Sequence, residues 1–369
     1  MPSPRTSYME SSIDRPPLVV RFGAFGDMVL VTILLRHLYE RFGKRVDVIS
    51  SGPWTAPLLD GQPWMGRLFV IRSRRTPYLL SLDQWRLVSW LRERGAGPTW
   101  YCDRDDLGIN LLKRGGVPSD YICDARAFPW IPEEGFADRY IRLGNESPPA
   151  FAGSLPPVRP GSSRAAHLVL SDAVRSEARD WLARRDLTDR PYIVVHPGSR
   201  HIARRTIRSR VGAEKYWPED RWAQVLRSLS DLRPDHALLL TGTRAERKFN
   251  DAIASRLGLA QIKNVADELP TRTLLPVLER AQSMVSVDTG PAHAAAALGT
   301  PTVALFGPAS PILFRPGGAT TPAIAVTGRV NGAQSIQGIA PEAVISAWLE
   351  LIRSTEAPAN HSVNSLSLD

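Results

Sequence analysis

Residues 286–308 read SVDTGPAHAAAALGTPTVALFGP. An apolar run ends in a polar knot, Asp288-Thr289-Gly290-Pro291. An alanine-rich segment closed by Gly299 follows, then a second apolar run. This is the order strand, helix, strand, and short apolar runs without alternation suit strands buried on both faces. The first strand delivers Asp288 to the carboxyl edge of a sheet. Thr289 or Gly290 caps the helix, and Pro291 fits its first turn, where a missing N–H costs nothing. Gly290 lets a ligand approach the backbone, and the free N–H groups with the positive dipole end form an anion site. His293, four residues past Thr289, faces the same mouth. The same residues would also serve an ordinary capped helix.

The strand-helix alternation extends in both directions. PLVVRFGAFGDMVLVTILLRHLYERFG (17–43) reads as strand, glycine-rich turn and amphipathic helix. RVDVISS, GRLFVIRS and PTWYCD read as strands and DQWRLVSWLRERG as a helix. Residues 146–164 are rich in proline, glycine and serine and read as the approach to a second domain. AHLVLS (166–171) is an edge strand or part of that connection. Beyond it PYIVVHPGS, HALLLTGT, SMVSVD and PTVALFG read as strands between helical segments, with a last helix at PEAVISAWLELIRS. The fold class is α/β: two Rossmann-like domains with parallel sheets, whose natural ligand site is the cleft between them. The expected boundaries are a disordered leader at 1–16, domains at 17–160 and 161–340, a C-terminal helix at 341–354 and a disordered tail at 355–369.

The chain has 369 residues and a net charge of +9, which admits nucleic acid, an anionic membrane face or a phosphorylated substrate as partner. Zinc-finger spacing, an aromatic RNA-binding signature and a basic helix with heptads are all missing, so nucleic acid ranks last. Cys102 and Cys123 are too few for a disulfide framework and suit a reducing cytosol. The first 17 residues lack the apolar middle of a signal peptide, and no apolar run is long enough to span a membrane. No zinc ligand set, Walker lysine or Ser-His-Asp spacing is evident.

Three further glycine corners carry candidate chemistry. In RFGAFGDMVL, Gly23 and Gly26 bracket a turn and Asp27 begins a helix, either as a plain cap or as a general base at the cleft. The spacing is not the three-glycine dinucleotide fingerprint. HPGS ends at Ser199 and is followed by five arginines in eleven residues, among them Arg200, Arg204 and Arg205, and then Lys215. Such arginines make a solvated loop or grip phosphates. In TGTRAER, Gly242 ends a strand and Glu246 sits in the next helix's first turn, as a dipole-favoured surface residue or a ligand for a ribose diol.

RFGAFGDMVL, HPGS with KYWPEDRW, TGTRAER and VDTGPAHAAAALGTPTVALFGP, in this order and spacing, resemble glycosyltransferase family 9, the ADP-heptose:lipopolysaccharide heptosyltransferases, from about residue 18 to 351. The resemblance implies a GT-B fold with the acceptor held mainly by the first domain and the nucleotide sugar by the second. It implies inverting, metal-independent transfer, without a cofactor, of heptose from ADP-heptose to a phosphorylated lipopolysaccharide inner-core acceptor. Asp27 corresponds to the catalytic base. Lys215, Glu246, Asp288, Thr289, Gly290, His293, Gly242 and Ser199 fall on the donor side, and Gly26, Arg200, Arg204 and Arg205 on the acceptor side. The arginine-rich stretch is longer than the family pattern and reads as an acceptor clamp, a membrane contact or an insertion. The expected location is the cytoplasm, with peripheral contact at the inner membrane face. Alternatives are another nucleotide sugar, a different acceptor, or a non-catalytic binder of nucleotide sugar.

Overall fold

The computed structural model describes residues 12–158, 161, 163–199, 214–318 and 322–356. A first sheet holds five parallel strands: β1 (Leu18–Val20), β2 (Val46–Ser51), β3 (Met65–Ile71), β4 (Thr99–Tyr101) and β5 (Ile122–Asp124), in the order β3-β2-β1-β4-β5. A second holds six: β6 (Tyr192–His196), β7 (Ala237–Leu240), β8 (Ile262–Asn264), β9 (Ser283–Val287), β10 (Thr302–Phe306) and β11 (Ala323–Thr327), in the order β11-β10-β9-β6-β7-β8. This is the expected GT-B architecture. All residues of β6, β9 and β10 are buried, as the unalternating apolar runs predict. Strand order reverses between β1 and β4 and between β6 and β9, and a doubly wound sheet opens its ligand crevice at such points.

The halves share apolar contacts. One buried cluster includes Val19, Met28 and Val31 of the first half and Val194, Met284, Ala292 and Ala295 of the second. The connection is tied down by a side-chain amide: Gln62 donates to the Val169 carbonyl at 2.9 Å and accepts from its N–H at 3.0 Å. Residues 166–171 therefore form a connection, with a single bridge from Ala166 to Gly318 instead of an edge strand.

Two boundaries differ from expectation. Residues 12–16, placed in a disordered leader, are folded onto the first half. Ser12 is buried and Arg94 donates to the Pro16 carbonyl. The last helix, Pro341–Glu356, runs two residues past the expected end at 354 and packs against the helix Glu219–Leu232 and strands β10 and β11. Cys102 and Cys123 are both buried and free, and burial pushes each thiol up to about 12.

Candidate active site

The helix Gly290–Ala297 starts where β9 ends. Thr289 takes the N-cap position in extended conformation, but its hydroxyl donates back to the Val287 carbonyl at 3.2 Å, so no side chain caps the helix. Opposite lies the helix Phe25–Leu30, which follows β1. The two helix starts touch. A Cβ on Gly290 would sit 2.5 Å from Cδ1 of Phe25, and one on Gly26 would sit 3.1 Å from Cδ2 of His293. Gly290→Ala is therefore expected to cost about 1–3 kcal/mol by overpacking. Thermal unfolding of the variant checks this, and an unchanged midpoint counts against it.

Behind this contact is a cavity of about 370 Å³. Lys215, Glu246, Gly242, Ser199, Asp288, Thr289 and Gly290 line it from the second half, and Ala24, Phe25, Gly26 and Trp54 from the first. Lys215 donates to the Asp288 carbonyl at 2.6 Å and to its carboxylate at 2.7 Å. An ammonium has three donors, so one remains for a ligand. Burial opposes the Asp288 charge, but the His293 hydrogen bond and the Lys215 cation hold its carboxyl below the ordinary value. Glu246 is buried, and its Oε2 accepts from the N–H and hydroxyl of Thr243, each at 2.7 Å. The Ser199 hydroxyl is buried without a hydrogen-bond partner among the described residues. A wider groove of about 640 Å³, between the helices Glu219–Leu232 and Pro341–Glu356, includes none of the glycine corners.

Asp27 lies beside this cavity, in the helix's first turn and not at its cap. Its Oδ2 accepts from the Ala24 N–H at 2.9 Å and its Oδ1 pairs with Arg21 at 3.0 Å. Arg21 is buried and also donates to the Cys102 carbonyl at 2.6 Å. Burial disfavours its charge, but Tyr140, Asp27 and Asp103 together hold its pKa above the ordinary value. Arg21 lines a second cavity of about 150 Å³ with Asp103, Arg104, Arg126, Arg139, Trp130 and Tyr140. Asp27 thus stands between the 370 Å³ cavity and an arginine- and aromatic-rich pocket.

His196, at the end of β6, shares a 3.0 Å hydrogen bond with the Thr241 hydroxyl. Burial holds its pKa below the ordinary 6.5, against the pull of Glu246. Burial lowers His37 likewise, although Asn145 opposes it. A depressed histidine stabilises the fold fully above its unfolded pKa, and that contribution is lost as pH falls toward the folded value. The melting temperature should therefore fall below about pH 6.5. His196→Gln should show a shallower fall, and equal slopes in thermal scans of the two proteins would discount His196 as a source.

Seven expected donor-side residues and Gly26 meet in the 370 Å³ cavity. His293 does not line it. It is buried, with Nε2 3.6 Å from Asp288, so it braces the wall instead of opening into the mouth. Arg200, Arg204 and Arg205 lie outside the described residues. Sequence reading passed over Arg21, Trp54, His196, Thr241, Thr243 and Thr271, which line one cavity or the other. Arg21 stands two residues before Gly23, and His196 two before Gly198, so both were visible beside the corners. Among the described residues, no three His, Cys, Asp or Glu side chains converge as a metal site.

Residues 160–335 match the model of glycosyltransferase family 9 (heptosyltransferase). The chain is 23% identical over 315 residues to lipopolysaccharide heptosyltransferase 2 of Salmonella typhimurium, covering 80% of this chain and 83% of that one. It is 27% identical over 315 residues to lipopolysaccharide heptosyltransferase 2 of Escherichia coli K12, with the same coverage of each. In fold it is similar to E. coli ADP-heptose lps heptosyltransferase II, with TM-score 0.70 and 21% identity over 93% of this chain and 100% of that one. It is also similar to the glycosyl transferase family 9 structure from Veillonella parvula, with TM-score 0.73 and 16% identity over 92% and 98%.

Proposed function

The chain belongs to glycosyltransferase family 9 and is a glycosyltransferase; from that premise we propose that it transfers heptose from ADP-heptose to a lipopolysaccharide inner-core acceptor, with inversion and without a metal. The observation that carries the reading is the single cavity in which Lys215, Glu246 and an uncapped helix end meet, walled on its far side by the loop that leads to Asp27.

In this reading the donor diphosphate lies across Lys215 and the Gly290 helix end, and Glu246 takes a hydroxyl of the ribose. The acceptor enters from the side of the Arg21 pocket. Its hydroxyl oxygen forms a bond to the anomeric carbon while the bond from that carbon to the diphosphate breaks. Asp27 receives the hydroxyl proton, and Lys215 with the helix N–H groups meets the charge that grows on the leaving group. Attack and departure occur on opposite faces of the sugar, which inverts the anomeric centre. The acceptor is lipid-linked, so the reaction belongs at the cytoplasmic face of a membrane. No helix among the described residues is long and apolar enough to cross it.

Thermal unfolding with ADP, UDP, GDP and CMP tests the donor. A ligand at about 100 times its dissociation constant adds about 2.7 kcal/mol to the folded state. Stabilisation by ADP alone supports ADP-heptose, and stabilisation by UDP or GDP overturns it. Turnover that survives a chelator supports transfer without a metal, and its loss rejects it.

A further inference from the structure

We propose that the turn Tyr78–Leu80 and the start of the helix Leu82–Arg94 form a docking surface for an anionic lipid bilayer, beside the acceptor side of the cleft. Leu79, Leu80, Leu82 and Trp85 are 78%, 77%, 65% and 44% exposed. Leu82 and Trp85 are three residues apart on one helix face, and the Tyr78 and Trp85 rings lie 6.4 Å apart, so the apolar side chains form one patch. A contiguous apolar surface of this kind marks an interaction site.

Charge selects the partner. Residues 72–86, RSRRTPYLLSLDQWR, hold four arginines and one acid, Asp83. Asp83 lies 3.6 Å from Arg72. Arg75 and Arg86 are exposed and have no acidic partner among the described residues. The Arg114 guanidinium covers the Tyr78 ring at 4.6 Å. Exposed leucines with a tryptophan and tyrosine, rimmed by arginines, match the acyl boundary and the phosphate layer of an anionic leaflet. A soluble acidic protein would match the rim, but it has less use for leucines this far exposed.

The patch is tied to the site. It follows β3 and shares the sheet's carboxyl edge with the loop after β1. Arg74, within the same segment, donates to Asp103 at 2.9 Å and to the Phe22 carbonyl at 3.3 Å, and lies over the Phe22 ring. A membrane held at Leu79–Leu80 would present a lipid-linked acceptor next to Arg21 and Asp27. This purpose rests on the acceptor proposed above, but the membrane contact is measured without turnover.

Sedimentation of the full chain with vesicles of phosphatidylglycerol and phosphatidylcholine, against phosphatidylcholine alone, is the test. Binding is expected to the anionic vesicles and to weaken with salt. Leu79→Ser with Leu80→Ser should reduce it at least about tenfold. Arg75→Glu should reduce it by roughly fivefold or more, the worth of one basic residue at such a surface. The melting temperature and the nucleotide-induced shift should stay at wild-type values in both variants. Absence of vesicle binding by the wild type, or its persistence in both variants, overturns the proposal. So does a dimer in light scattering that the leucine changes dissociate while vesicle binding stays at background. Lost nucleotide response with intact vesicle binding would instead count against the glycosyltransferase site alone.

Discussion

Asp27→Asn should lose turnover by about 10²–10⁴-fold, the range for removal of a positioned general base. Asparagine keeps an oxygen for the Ala24 N–H, so the helix start survives while the proton acceptor is gone. Asp27→Ala is the harsher change. It leaves the Ala24 N–H without its acceptor, whereas both changes remove the anionic partner 3.0 Å from the buried Arg21, and breaking such a pair from one side destabilises by about a few kcal/mol. Asp27 is not among the residues lining the 370 Å³ cavity, so the nucleotide-induced rise in melting temperature should be intact in the asparagine variant. Steady-state turnover beside that thermal shift is the measurement. Near-normal turnover rejects Asp27 as base, and a lost thermal shift would place it in donor binding instead.

Lys215→Met should lower kcat by about 10²–10³-fold, as removal of one preorganised donor to a developing charge does. It should also reduce stabilisation by nucleoside diphosphate. A second effect runs through Asp288, which is buried and loses its cation. One-sided loss of a buried partner costs about 3–5 kcal/mol. Lys215 is 28% exposed, which puts its loss toward the lower end. The sign with pH is defined. Asp288 is held below its ordinary value, so its contribution is present above that value and lost as pH falls through the folded one. Without Lys215 the acid limb of the stability curve should move to higher pH. Lys215→Met with Asp288→Asn should recover stability and leave turnover low. Recovery of both would make Lys215 a structural residue only.

The strands and glycine corners were legible because their causes are local. β6, β9 and β10 are apolar runs that only a doubly covered sheet accepts, and Gly26 and Gly290 each sit at a strand-to-helix corner marked by the apolar run before it. What was not legible depends on distant partners. Arg21 gains its place from Cys102, 81 residues away, and Phe22 from Asp103 at the same separation. Helical spacing puts His293 near Thr289 on the helix surface. Gly26, arriving from the other half, packs against that surface, where His293 is buried. The leader read as disordered because residues 1–16 are polar and proline-containing, whereas Arg15 is seated by packing over Gly95 and Gly97. β8, Ile-Lys-Asn, is half-buried throughout and carries no apolar run to announce it.

The touch of Phe25 and Gly26 on Gly290 and His293 also bears on how the protein moves. Packed interfaces change by sliding or by discrete jumps, not by stretching. Any rigid-body opening of the cleft would have these two helix starts as its pivot, with the outer rims moving most. In the proposed reaction, donor and acceptor would then enter and leave at opposite rims. The few atoms that would align hydroxyl, anomeric carbon and diphosphate in that reaction would keep their spacing from one turnover to the next.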